Sequence, residues 1–211
     1  MGLLKIVRGG IFKSIQGEGF YIGTPCTFIR LYGCNLRCKW CDTKYAYRGD
    51  HLELSEEFIA REVLRLEQPM VVITGGEPLV QNLTELMERL FYMKVHIETN
   101  CTKSPSKEWS PTHWVVSPKL PSSGETFSTA IIKEFRATGI AEFKFVVANE
   151  TDFTVVKRLD YKYNFEQVCI QPVDNDLELM KKIISWVQEN GRNIRILPQL
   201  HKLLWHGARG R

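Results

Sequence analysis

The chain carries Gly33-Cys34-Asn35-Leu36-Arg37-Cys38-Lys39-Trp40-Cys41-Asp42-Thr43, in which the cysteines follow a C-x-x-x-C-x-x-C spacing. The loop supplies three thiolates and no fourth. A full [4Fe–4S] ligand set is four cysteines, so three would leave one iron open to a small molecule. An open iron can hold that molecule and pass it an electron, whereas a fully ligated cluster mainly carries electrons. The competing reading is a structural zinc, which needs four ligands, usually in paired sets. Cys26 lies in the strand-like Thr24-Pro25-Cys26-Thr27-Phe28-Ile29-Arg30, and His51 has no second histidine at ligand spacing. The closed-site rule favours a cluster and leaves zinc as the alternative. Six cysteines in 211 residues read as intracellular thiol or metal chemistry rather than a disulfide framework.

Outward from this loop, short β-rich runs alternate with helical patterns. Residues 11–16 and 26–32 read as strands, and the cysteine loop follows the second at once. Ser55 can cap a helix reaching about residue 68, with Phe58, Ile59, Val63, Leu64 and Leu66 as its apolar stripe. Residues 70–74 form a buried strand running into Gly75-Gly76-Glu77-Pro78, and Leu83, Leu86, Met87 and Leu90 then fall at helical spacing. Further strands are expected at 95–99, 113–117, 143–147, 168–171 and 193–199. Helices are expected at 126–137, from a Thr151 cap to about 161, and at 177–190 with Gly191 as its stop. Strands alternating with helices predict a parallel α/β sheet or barrel. Polar residues gather where strands end: the cysteine loop, 75–78, 98–100, 117–119 and 171–174. Those ends are where α/β barrels place their active sites.

The 211 residues suit a single domain over 1–211, with 44% hydrophobic and 25% charged residues. A formal net charge of +4 is a mild excess, with no polybasic run or stripe to suggest a nucleic-acid partner. The opening Met1-Gly2-Leu3-Leu4-Lys5-Ile6-Val7-Arg8 has no long apolar run, and no stretch is long enough to span a bilayer. A cytoplasmic protein without membrane contact is the expectation. Residues 102–112 read as a surface loop, and 118–124 as a loop facing the active site.

The cysteine loop together with Gly75-Gly76-Glu77-Pro78 after a strand resembles the radical S-adenosylmethionine (SAM) superfamily. Further runs narrow the likeness: Ser14-Ile15-Gln16-Gly17-Glu18-Gly19, Cys41-Asp42-Thr43, Glu98-Thr99-Asn100, Ser117-Pro118-Lys119, Phe143-Lys144-Phe145-Val146-Val147, Gln171-Pro172 and the tail from Leu197 to Trp205. This set is similar to the 7-carboxy-7-deazaguanine synthase family, from about residue 11 onward. The resemblance implies an incomplete TIM-like α/β barrel, with about six core strands and fewer helices than a full barrel. It implies a [4Fe–4S] cluster on Cys34, Cys38 and Cys41, SAM as a regenerated cofactor, and Mg²⁺ near Thr43. The implied reaction takes a hydrogen from C6 of 6-carboxy-5,6,7,8-tetrahydropterin, contracts the ring and releases ammonia, giving 7-carboxy-7-deazaguanine for deazapurine (queuosine) biosynthesis.

By the same resemblance, SAM contacts fall to Trp40, Asp42, Gly75, Gly76, Glu77, Cys101, Ser117, Pro118, Lys119, Gln171, Pro172, Val173 and Asp174. Cys101 stands where the family often has glycine, so a contact there would be through backbone. Substrate contacts fall to Ile15, Gln16, Gly17, Glu18, Arg30, Thr99 and His201. Arg30 interrupts an apolar strand, and a pterin carboxylate would satisfy it. Lys202, Trp205, Arg209 and Arg211 could fold over the pterin. Cys26 and Cys169 read as buried core thiols. An electron donor such as flavodoxin or ferredoxin, and a homodimer, are family expectations. The rivals are a glycyl-radical-enzyme activase, which shares the cysteine spacing, and a non-catalytic zinc module.

Overall fold

The computed structural model describes residues 2–206, 208 and 210. Arg209 and Arg211, expected near the pterin, lie outside the described residues. Strand β1 (Leu3–Ile15) pairs antiparallel with β2 (Pro25–Leu31) on one side and with β3 (His51–Ser55) on the other. From β2 the sheet continues in parallel through β4 (Met70–Gly75), β5 (Lys94–Thr99), β6 (His113–Val116), β7 (Ala141–Val147), β8 (Val168–Pro172) and β9 (Arg195–Ile196). The order is β3-β1-β2-β4-β5-β6-β7-β8-β9, and the two ends do not meet. This is the partial barrel expected, with seven parallel strands among the described residues against the expected six or so. The helices are α1 (Tyr45–Arg48), α2 (Glu56–Arg65), α3 (Thr84–Arg89), α4 (Thr129–Ala137), α5 (Glu150–Tyr163), α6 (Leu177–Glu189) and α7 (Leu200–Trp205). No β5–β6 helix is present among the described residues; that crossover is loop.

Alternation divides the strands between two environments. Val71, Ile73, Val95, Ile97, Trp114, Val116, Phe143, Phe145, Val147, Val168 and Ile170 join one apolar core with the helices. The opposite face begins as a small apolar cluster of Cys26, Phe28, Met70 and Val72, with Phe12 against it. It then turns polar across β5 to β8, where His96, His113, Glu142, Lys144 and Gln171 are all buried. Cys26 and Cys169 are buried free thiols.

Several boundaries differ from expectation for physical reasons. β1 starts at Leu3 rather than residue 11, because a bulge between Ile6 and Ile11 carries the strand past Gly9 and Gly10. β3 was not anticipated; it fits the edge of β1 immediately before Ser55, whose side chain accepts from the Phe58 N–H as expected. Helix α5 is capped by Asn149, accepting from the Asp152 N–H, rather than by Thr151. The last strand keeps only Arg195–Ile196, and the chain passes through Pro198 into α7. The 102–112 segment is not wholly surface, since Trp109 is buried and stacks on Trp114. No helix of the described residues is long and apolar enough to cross a membrane.

Candidate active site

The cysteine loop leaves β2 and is tied to the ends of the neighbouring strands. Gly76 N–H donates to Leu31 O and Glu77 N–H to Gly33 O, both at 2.8 Å. A Cβ at Gly76 would overlap the Gly33 carbonyl, so glycine is what lets the two turns touch. Lys39 N–H donates to Ser123 O at 2.9 Å, Trp40 Nε1 to Ser122 Oγ at 3.0 Å, and Asn35 Nδ2 to Thr102 Oγ1 at 2.8 Å. Cys34, Cys38 and Cys41 are free and line one cavity of about 280 Å³. Burial pushes all three thiols up, and the Lys119 ammonium pulls each partly back. Cys34 Sγ accepts from Leu36 N–H at 3.5 Å and from Asn100 Nδ2 at 3.9 Å.

Among the described residues, Cys34, Cys38 and Cys41 are the cysteines lining the cavity, with no fourth beside them. Three thiols suit a cluster with one open iron better than a closed four-coordinate structural zinc.

The cavity's other wall is charged and ordered. Arg30 Nη1 donates to Thr43 Oγ1 at 3.3 Å, and Thr43 donates to Asp42 Oδ1 at 2.8 Å. The guanidinium lies 5.9 Å from each of the Phe12, Phe28 and Tyr45 rings, and its buried Nε has no partner. Lys144 Nζ sits 2.5 Å from Glu18 Oε2 and 3.7 Å from Glu98 Oε2. Gln16 Nε2 and Thr74 Oγ1 also donate to Glu98, at 2.9 and 3.1 Å. Gln199 Nε2 donates to Glu18 Oε1 at 2.8 Å. Burial raises the Glu18 carboxyl, but Lys144 and His201 outweigh it and hold it at about 2. For Lys144, burial is likewise overcome by Glu18 and Glu98, and its value rises. His201 Nε2 is 3.5 Å from Asp42 Oδ2 and its Nδ1 3.9 Å from Glu18 Oε1. Burial lowers His201, while the Asp42 hydrogen bond and Glu18 raise it to a net increase. The His201 ring lies against Gly17, and Leu200 N–H donates to Gly17 O at 3.0 Å, so α7 docks on the 16–18 segment.

Of the expected site residues, the cavity gathers Ile15, Gln16, Gly17, Glu18, Arg30, Cys34, Cys38, Trp40, Cys41, Asp42, Thr43, Gly75, Gly76, Glu77, Thr99, Ser117, Lys119, Val173 and His201. Cys101, Pro118, Gln171, Pro172 and Asp174 do not line it. Cys101 has a positive φ of 64° and sits in the outer core; Gln171 donates to Pro198 O; Asp174 is exposed and pairs with Lys202. Lys202 and Trp205 do line the cavity. Glu98, Lys144, Gln199 and the three rings around Arg30 were not foreseen as site residues. For Glu98 and Lys144 a signal existed: each is a charge inside an apolar strand, on the face opposite the main core.

The radical SAM superfamily model matches residues 28–168. A 7-carboxy-7-deazaguanine synthase from Hyperthermus butylicus is 39% identical, with 96% of this chain and 93% of that protein covered. One from Koribacter versatilis is 34% identical, with 92% and 95% covered. The crystal structure of QueE from Escherichia coli superposes with a TM-score of 0.74 at 26% identity, covering 94% of this chain and 95% of that one. SuiB of Streptococcus suis, at 14% identity and a TM-score of 0.58, shares the fold alone over 79% of this chain and 47% of its own. Superfamily membership brings a [4Fe–4S] cluster and SAM as cofactors, and neither rival, activase or zinc module, gains support from these relatives. The chain belongs to the 7-carboxy-7-deazaguanine synthase family of the radical SAM superfamily.

Proposed function

We propose that the chain contracts the ring of 6-carboxy-5,6,7,8-tetrahydropterin to 7-carboxy-7-deazaguanine, releasing ammonia. The observation that carries this reading is Arg30, a half-buried cation with a buried, unpartnered Nε, lining the same cavity as the three cysteines. A carboxylate is the ligand that a guanidinium fork fits best. When bound, the cluster and SAM supply the one-electron cleavage that takes a hydrogen from the pterin; the protein's part is binding, orientation and exclusion of water.

Cys34, Cys38 and Cys41 hold the cluster, and the turn at Gly75 and Gly76 lets backbone approach the methionine end of SAM. Trp40, Asp42, Glu77, Ser117, Lys119 and Val173 complete that side. Arg30 takes the pterin carboxylate. Thr43 offers an oxygen to Mg²⁺, which tolerates one or two protein ligands and would polarise the same carboxylate. Glu18, held ionised by Lys144, accepts from the amino edge of the pterin, with Gln16, Thr99 and His201 around it. Cys101, Pro118, Gln171, Pro172 and Asp174 are assigned to SAM through backbone or neighbouring segments. The nine strands of the described residues share one sheet, which supports a single domain over 1–211. A cytoplasmic homodimer served by a flavodoxin or ferredoxin completes the reading.

The test is an anaerobic assay of the reconstituted protein with SAM, reductant, Mg²⁺ and the pterin, read by mass spectrometry. Product that disappears in Cys38→Ala supports the proposal. SAM cleavage without that product sinks the substrate assignment.

A further inference from the structure

We propose that Glu142, anchored by His113, is a positioning residue that sets where Glu18 stands in the cavity; the inference rests on the pterin reading above. β7 turns Glu142 and Lys144 to the same side of the sheet. Lys144 grips the Glu18 side chain. Glu142 grips the backbone two residues on, where Phe20 N–H donates to its two carboxylate oxygens at 3.3 and 3.1 Å. Strand residues 144 and 142 thus meet loop residues 18 and 20 in step. Between them Gly19 has a φ of 71°, and a Cβ there would overlap the Glu142 carboxylate.

The anchor is itself fixed. Glu142 is fully buried, and His113 Nε2 lies 3.0 Å from its Oε2. The His113 ring packs at 5.2 Å from Tyr21 and 5.0 Å from His96. On the far side, Arg195 Nη1 donates to Phe20 O at 3.3 Å and its guanidinium lies 4.0 Å from the Phe20 ring. Neither Glu142 nor His113 lines the cavity, so they act through the loop. Glu18 lies between Gly17 and Gly19, two residues with little intrinsic backbone preference. The placing of its backbone is therefore set by the fixed points on either side: Gly17, held by Leu200 N–H, and Phe20, held by Glu142. A buried carboxylate with its oxygens engaged makes a stiff anchor.

The experiment compares Glu142→Ala and Glu142→Gln in reconstituted protein, with hydrogen exchange of residues 17–22 measured in parallel. Glu142→Ala is expected to raise the pterin KM about tenfold or more, to speed exchange at residue 20, and to leave SAM binding unchanged. Glu142→Gln keeps an oxygen facing the Phe20 N–H and is expected to restore protection and most of the KM. Gly19→Ala strikes the same contact from the loop side and is read the same way if Glu142→Ala does not fold. Unchanged exchange and KM, or loss of SAM affinity together with pterin affinity, overturns the proposal. If the wild type does not turn over the pterin, the substrate reading has failed, and exchange at residue 20 still decides the anchor.

Discussion

Replacing Lys144 by methionine tests the charge logic of the cavity. Lys144 and Glu18 are 6% and 14% exposed at the side chain and lie 2.5 Å apart. Removing one partner of a buried pair costs about 3–5 kcal/mol, because the other charge is left uncompensated. Gln199 donates to Glu18 at 2.8 Å before and after the change, so that bond does not offset the loss. The expected loss is therefore about 3–5 kcal/mol, or about 6–20 °C in Tm for a chain of this size. The pH dependence has a definite sign. In the wild type Glu18 is depressed from 4.5 to about 2, so its contribution is present above 4.5 and is lost as pH falls toward 2. In Lys144→Met the burial that raises this carboxyl loses its chief opponent, and the Glu18 pKa rises. The stability gap between the two proteins should be widest at neutral pH and shrink on acidification, as Glu18 becomes neutral. Urea unfolding at several pH values measures it, with Glu18→Gln added to Lys144→Met to recover part of the loss. A gap below about 1 kcal/mol that does not change with pH would show that Lys144 does not hold Glu18 ionised.

Arg30→Lys keeps the charge but loses the fork, and should raise the pterin KM about tenfold or more with SAM affinity intact; an unchanged KM removes Arg30 from carboxylate recognition. Asp42→Asn should lower the His201 pKa, since the Asp42 hydrogen bond is the largest influence raising it; NMR titration of the His201 ring reads this directly. With a folded value above 6.5, the His201 contribution to docking α7 is full below 6.5 and fades as pH rises through the folded value; Trp205 fluorescence across that range follows it. Gly76→Ala places a Cβ against the Gly33 carbonyl and should cut the iron and sulfide retained after reconstitution; full retention would show that the two turns need not touch.

Much of the fold was legible because strand–helix alternation and the buried runs at 70–74 and 143–147 leave few other architectures. The cysteine loop and Gly75-Gly76-Glu77-Pro78 were legible as a site because both fall where strands end. What escaped has physical causes. Gly9 and Gly10 look like a break in a linear reading, yet a bulge lets β1 run through them. His51-Leu52-Glu53-Leu54-Ser55 has too little apolar content to announce a strand and exists by pairing with β1. Glu142 and Lys144 find their partners only when the sheet curls and brings β1's following loop against β7, a contact across more than 120 positions of sequence.

Ring contraction of the pterin by radical chemistry leaves a label that can be followed. The reconstituted protein is incubated anaerobically with SAM, reductant, Mg²⁺ and 6-carboxytetrahydropterin carrying deuterium at C6. The expected result is 7-carboxy-7-deazaguanine together with deuterium in the recovered SAM. Product without label in SAM would contradict the regenerated-cofactor chemistry, and absence of product would contradict the assigned function.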